Sequence, residues 1–306
     1  MALTWDQISG ITEKKFIKKM TDNIFDSNIL LKRLKEKSFE ELDGGLTIMQ
    51  PLNYATTTAT GWYTGADSFS LADNEAITSA EYIWRQMYAS IVITGRDEKI
   101  NSGDSAKISL VKSKTQIAEK TMTDALGTGI YNAGTTLNSL VGLQAIVAIA
   151  STIGGISQSS YSWWQAQVDS TTAVFSLAAL QTLFNSCSVD NDTPTIAVAT
   201  RANYNRYWSA LQPQQRFSDS EVAKGGFTSL MFNGVPFVAD SKCPTNNIFL
   251  LNEKYLHLWA HKDENMKFTG FQKPVNQNVR SGQVLFMGAF GSSNNRLHGK
   301  QSAVAA

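Results

Sequence analysis

The chain has 306 residues, 42% of them apolar and 17% charged, with a formal net charge of +1. At that length about three quarters of the unfolded surface can be buried, so a core divided between two lobes is expected without staples. The balance excludes a disordered chain and a strongly basic nucleic-acid binder, and the two cysteines, Cys187 and Cys243, make no disulfide framework, zinc knuckle or redox pair.

The first residues lack a basic stretch followed by an apolar one, so no secretory signal is read and the cytoplasm is the default location. Residues 11–37 carry Phe16, Ile17, Met20, Ile24 and Phe25 at helical spacing. After a break at Asp26, Ser27 and Asn28 come Ile29, Leu30, Leu31 and Leu34. Two short amphipathic helices are predicted, with their basic residues largely balanced by acids, as on a solvated arm. Asp43, Gly44 and Gly45 then turn the chain into a strand over 46–50.

Residues 51–80 are mostly Thr, Ser, Ala and Gly, with the pair Trp62 and Tyr63 and the acids Asp67, Asp73 and Glu75. So long a segment with so little core pattern reads as an extended arm made for a contact. Alternation over 82–94 predicts a strand. Asp104 or Ser105 caps the next element, where Ile108, Val111, Ile117, Ala118, Met122, Ala125, Leu126 and Ile130 form a stripe. A helix over 105–131 would run roughly 40 Å.

From Asn132 to Thr200 there is no Lys, Arg, Glu or His, and only Asp169, Asp190 and Asp192 are charged. Within this block residues 140–156 are uncharged, yet fall short of the roughly 20 residues of a membrane span. With Gln144, Ser151 and Thr152 inside and Gly154 and Gly155 near the end, they predict a buried helix stopped by glycines. Helices over 176–185 and 200–211 flank a strand over 195–199. Asn233-Gly234 joins a hairpin of 230–232 and 235–238. Strands over 248–251, 255–260, 266–269 and 284–290 complete an α+β pattern.

Residues that could carry chemistry are sparse. His257 and His261 lie four apart near Glu253 and Glu264, but on a strand and outside any His-Glu-x-x-His motif. Gly127, Gly129 and Gly134 end a helix instead of joining a strand to one, which rejects a dinucleotide loop. No phosphate-binding loop and no serine elbow is present. Tyr204, Tyr207 and Trp208, with Arg201 and Arg206, read as one packed helix face plus solvated arginines. No catalytic residue, metal ligand or cofactor is assigned.

The order is thus a helical arm, a long loop, a strand, a long helix and a low-charge lobe bounded by strands. It strongly resembles the major capsid proteins of tailed bacteriophages, with the Hong Kong 97-type shell fold. The resemblance rests on Asn28, Leu30, Leu31, Leu34 and Lys35 leading to Asp43, Gly44 and Gly45, and on the long helix running into Leu140, Gly142 and Leu143. Its late block is Tyr204, Tyr207, Trp208, Leu211, Gln215 and Arg216, then Gly226, Phe227 and Leu230, then Phe232 to Phe237, Asp240 and Pro244.

The resemblance implies an N-arm over 1–45 and an extended loop over 46–81 lying across a neighbouring subunit. It further implies a peripheral domain with the spine helix over 82–139, an axial domain over 140–240 and a return to the peripheral domain over 241–306. Contacts between subunits are expected at Trp62, Tyr63, Asp67, Asp73 and Glu75. The implied function is self-assembly, through hexamers and pentamers, into the icosahedral head shell around a phage genome, with an encapsulin-like compartment shell as the alternative. Implied partners are portal and scaffolding proteins and a decoration protein, with packaged DNA touched only weakly and no membrane. The implied location is the virion, after assembly in the host bacterial cytoplasm. The N-arm pattern begins within the first few residues, which implies a separate scaffold protein or a mature form. Some relatives weld subunits through a lysine on the loop and an asparagine of a neighbour. Residues 46–85 contain no lysine, so such a crosslink is not expected here, although Asn294 and Asn295 could offer the amide.

Overall fold

A computed structural model of the chain describes residues 28–69, 75–100, 110–135, 138–171, 173–211, 230–302 and 304–305. The first of the two expected N-terminal helices lies outside them. The second is α1, Ile29–Lys37, capped by Asn28, whose side chain accepts from Leu31 N. After it come β1 (Phe39–Leu42), β2 (Thr47–Asn53), β3 (Ile77–Ile83), β4 (Arg85–Thr94), α2 (Gly95–Ile100) and α3 (Leu110–Ile130). Next are α4 (Leu143–Ile146), β5 (Thr152–Ile153), β6 (Ile156–Ser157), β7 (Gln167–Asp169), β8 (Ala173–Val174) and α5 (Leu177–Ser186). The rest is β9 (Ile196–Ala199), α6 (Arg201–Leu211), β10 (Leu230–Phe232), β11 (Val235–Ala239), β12 (Ile248–Leu251), β13 (Leu256–His261), β14 (Lys267–Phe268), β15 (Val279–Ser292), β16 (Gly299–Gln301) and β17 (Val304–Ala305).

Two compact units emerge. The first comprises Tyr88–Thr123 and Met266–Leu285. In it β14 pairs antiparallel with the start of β15, Gly95 N donates to Asn278 O at 2.9 Å, and Lys114 Nζ donates to Val92 O at 2.7 Å. Arg280 pairs with Glu98 at 3.1 Å on the surface, worth no more than about 1 kcal/mol.

The second unit takes the remaining described residues and holds most of the core. Its six-stranded sheet runs β10-β11-β9-β12-β16-β7 and mixes parallel with antiparallel neighbours. Every residue of β9 and β12 is buried, so this sheet is covered on both faces. On one face Ala197, Ala199, Ile248 and Leu250 pack with Leu180 and Leu183 of α5 and Tyr207 of α6. The opposite face includes Phe249, whose ring lies 6.0 Å from that of Tyr131. Tyr207 stacks on Phe237 at 4.5 Å, but the face expected of α6 is corrected in two places: Trp208 is exposed, and Arg206 is not solvated but donates to Asn203 Oδ1 and Val304 O. In this unit β1 also pairs parallel with β13, and β13 antiparallel with the end of β15.

Two buried carboxylates organise this unit. Asp240, 2% exposed, accepts Tyr131 Oη at 2.9 Å and Leu30 N at 3.4 Å on one oxygen, and Lys242 N at 2.9 Å on the other. It therefore ties together the C-terminal end of α3, the first turn of α1 and the end of β11. Glu253, 3% exposed, accepts Arg33 through both oxygens at 2.6 and 2.8 Å and Lys37 at 2.9 Å. Ser38 Oγ donates to the Glu253 carbonyl and Thr195 Oγ1 to its carboxylate. Burial works to raise the Glu253 pKa, but the bonds from Arg33 and Lys37 outweigh it and hold the carboxyl below its ordinary 4.5.

The long helix is described over Leu110–Ile130, roughly 32 Å at 1.5 Å per residue, and two other expectations are corrected. The predicted residues 105–109 lie outside the described residues, and Ile117 of the stripe is 44% exposed. Ala118, Met122, Leu126 and Ile130 keep the buried line. Residues 140–156 are not a helix: one turn over Leu143–Ile146 gives way to the β5–β6 hairpin, whose Gly154 and Gly155 have φ of 61° and 77°. A Cβ on Gly154 would sit 2.5 Å from that of Ala80, so the glycine serves a left-handed turn and a close approach, not a helix end. Finally, the supposed loop is bounded by a ribbon, since β2 and β3 pair antiparallel from Thr47↔Ile83 to Asn53↔Ile77. No described helix is long and apolar enough to cross a membrane.

Buried His298 predicts an acid limit. Its Nδ1 accepts from Asn252 N at 3.3 Å and its Nε2 lies 3.1 Å from Ser292 Oγ. Burial, aided by His257, pushes its pKa from 6.5 down to about 3. The unfolded chain then binds a proton that the folded chain refuses, so stability is full above pH 6.5 and falls toward pH 3 by up to about 1.4 kcal/mol per pH unit. Glu253 adds a loss only below its ordinary 4.5. Urea titrations from pH 8 to 4 should show the slope beginning near 6.5. Glu253→Gln at pH 7 should cost about 3 kcal/mol, because Arg33 and Lys37 lose their buried partner.

Candidate subunit-contact surface

The β2–β3 ribbon alternates sharply. Ile48 and Leu52 of β2, with Ala80 and Tyr82 of β3, turn inward and are buried. Met49, Ile77 and Ile83 turn outward and are exposed, as is Leu46 just before the ribbon. An isolated two-stranded ribbon is marginal in water, so its root must be held elsewhere. Tyr82 Oη donates to Ser292 O and accepts from Ser292 N, and the ring lies 5.1 Å from that of Trp259. Glu81 N donates to Gly154 O at 2.9 Å. Trp84, which breaks the predicted single strand into β3 and β4, donates its indole N–H to Gly45 O at 3.0 Å. Where the ribbon ends, Tyr54 stacks on Trp163 at 5.1 Å.

Beyond Tyr54 the arm has a tip without regular structure. Trp62 is 105% exposed and Tyr63 63%, with Tyr63 edge-on to Phe69 at 5.0 Å. Thr64 N donates to Asp67 Oδ2 at 2.9 Å, closing a turn whose Gly65 has φ of 63°. Of the five expected contact residues, Trp62, Tyr63 and Asp67 thus share one tip and Glu75 lies exposed near the returning strand. Asp73 lies outside the described residues. The exposed apolar face of Leu46, Met49, Ile77 and Ile83 was missed. Its signal was the alternation over 46–53 and 77–83, interrupted by Pro51.

The residues considered for chemistry are otherwise engaged. His261 Nδ1 accepts from Asp263 N, and its ring meets Trp84 edge-on. His257 Nε2 lies 3.1 Å from Ser293 Oγ, but Glu40, opposite Trp259 on β1, accepts from the Trp259 indole instead. Burial pushes the Cys187 thiol up to about 12 and, with Asp240 adding to it, raises Cys243 as well. Both are held as thiols. Among the described residues no group of His, Cys, Asp and Glu is placed to hold a metal ion.

The sequence matches no family model and no curated protein. Solved structures match it along its whole length. A chain of the cyanophage A-1(L) capsid asymmetric unit gives a TM-score of 0.72 at 15% identity, covering 99% of this chain and 100% of that one. The capsid of a native GTA particle gives 0.72 at 12% identity, covering 100% of both. The SrpI encapsulin of Synechococcus elongatus PCC 7942 gives 0.64 at 12% identity, covering 99% of this chain and 96% of that one. At such identities the likeness is one of fold, and the chain has the Hong Kong 97-type shell fold seen in tailed-phage capsid proteins.

Proposed function

We propose that the chain is a major capsid protein that assembles with copies of itself into the icosahedral head shell of a tailed phage. The observation that carries this reading is the arm: a ribbon with its inner face anchored, its outer face bearing exposed Met49, Ile77 and Ile83, and a tip that exposes Trp62 and Tyr63. Bare aromatic side chains are what interfaces are enriched in. The full-length fold likeness to two capsids supports it. On this reading Trp62, Tyr63, Asp67, Asp73 and Glu75 contact a neighbouring subunit. The segment boundaries are N-arm 1–45, extended loop 46–81, peripheral domain 82–139, axial domain 140–240 and return 241–306.

The neutral block then has a physical use. Five- or sixfold clustering of identical surfaces brings like charges together, and a surface with few charges avoids that repulsion. Portal, scaffolding and decoration proteins are the expected partners, the virion the expected location and the host bacterial cytoplasm the place of assembly. The chain works as a structural protein and not as an enzyme. A compartment shell of the encapsulin kind is the second reading, supported by the SrpI likeness.

Expressed alone or with its genomic neighbours, the chain should give closed shells by negative-stain microscopy. A portal at one vertex favours the phage reading, whereas enclosed enzyme and no portal favours the compartment. Deleting residues 56–69 removes the tip but not the ribbon, and should leave a folded subunit that forms no shells. Normal shells from the deletion would refute the role of the arm.

The shell should also be free of covalent links. Residues 46–85 offer no lysine to act as the nucleophile, and Asn295, one of the two candidate amides, is fully buried. Boiled in denaturing detergent, particles should run as the 33.5 kDa monomer. A ladder containing lysine–asparagine peptides would overturn this.

A further inference from the structure

In the second unit a cavity of about 550 Å3 lies between the start of β4, the last turns of α3 and the segment leading into α4. Met87, Leu126 and Phe286 give it an apolar wall, while Asn132 and Gln144 bring side-chain amides. Two cations line it. Lys242 is already paired with Asp124 at 2.6 Å. Arg85 is not: its Nε is shut off from solvent with no hydrogen-bond partner, and its guanidinium has no ion pair among the described residues. Arg85 also borders a second cavity of about 210 Å3.

Buried donors are nearly always satisfied, and Arg85, with its Nε unpartnered and no ion pair among the described residues, lines two cavities from which an acceptor could reach its guanidinium. A planar guanidinium fits a carboxylate through two parallel bonds. The volume falls within the roughly 300–1,000 Å3 of sites that hold small ligands against apolar walls with a few placed polar groups. We propose that this cavity binds an amphipathic carboxylate, with the anionic head on Arg85 and an aromatic or aliphatic body against Leu126 and Phe286.

Two sources carry that chemistry. One is a free organic acid. The other is the arm of a second copy: residues 46–84 contain the acids Asp67, Asp73, Glu75 and Glu81 and no basic residue, and they bear the exposed Trp62 and Tyr63. Only the second source rests on the shell reading.

The test is calorimetric titration of the full-length chain with indole-3-propionate and, separately, with a capped peptide of residues 60–69. At least one should bind, and Arg85→Gln should weaken it about tenfold or more, since a charge-assisted bidentate contact is lost. Arg85→Gln should melt as the wild type does, because the guanidinium supports nothing inside the subunit. Should that variant fold poorly, Leu140→Trp fills the cavity without changing charge and should block binding. Binding of the peptide alone assigns the site to a second copy, and binding of the acid alone to a free ligand. If neither binds, or Arg85→Gln binds as wild type, the proposal is wrong. Shells scored separately by microscopy keep the two readings apart. Wild-type shells without binding sink this inference only, whereas absence of shells removes the second source and leaves the acid to decide.

Discussion

A nine-residue helix is held at both ends by buried acids, and much of the second unit is built around that grip. Asp240 stands at the N-terminal turn of α1, where a carboxylate also meets the positive end of the helix dipole. Glu253 takes the two cations one turn apart, Arg33 and Lys37, nearer the C-terminal end. Neither acid is bought cheaply, for a carboxylate taken out of water must be fully paired. Each is paired with a different part of the chain: Asp240 with α3 and β11, Glu253 with the approach to β9 and the link from β12 to β13. The result fixes, around one short helix, segments more than 200 residues apart in sequence.

The arm is the counterpart of that satisfied interior. Its inner face uses the core for support, while its outer face sets exposed Met49, Ile77 and Ile83 among polar cross-strand partners, Glu81, Asn53 and Thr47. Each such side chain left in water is unfavourable for a solitary subunit. The described tip carries the acid Asp67 and no base.

Legibility in the sequence followed the strength of local signals. The Asn233-Gly234 hairpin was readable because φ of 49° and 78° is what that dipeptide supplies at little cost. The strands β9 and β12 and the helices α5 and α6 were readable from apolar period and length. Residues 140–156 were misread because a charge-free apolar run fits a buried helix as well as a hairpin, and only the docking of Gly154 on Ala80 decides between them. Strand β1, Phe-Glu-Glu-Leu, has two adjacent acids and no alternation of its own. It is a strand because β13 offers it an edge. The ribbon was half legible, since Pro51 and the run of threonines hid the pairing of β2 with β3. Composition singled out Trp62, Tyr63 and Asp67, which lie together and exposed at one tip. Arg85 carries no local signal of its own, since the alternation over 82–94 does not tell that its neighbours leave it unpaired.

The union of Glu81 N with Gly154 O, and of Tyr82 Oη with the main chain of Ser292, has a further meaning for how such an arm can change over time. The direction in which the arm departs is set at its root, by that one backbone bond and by the side chains of Tyr82 and Trp84 held on the main chain of Ser292 and Gly45. Side chains beyond Tyr54 take no part in that root, so they can be substituted without re-aiming the limb that carries them.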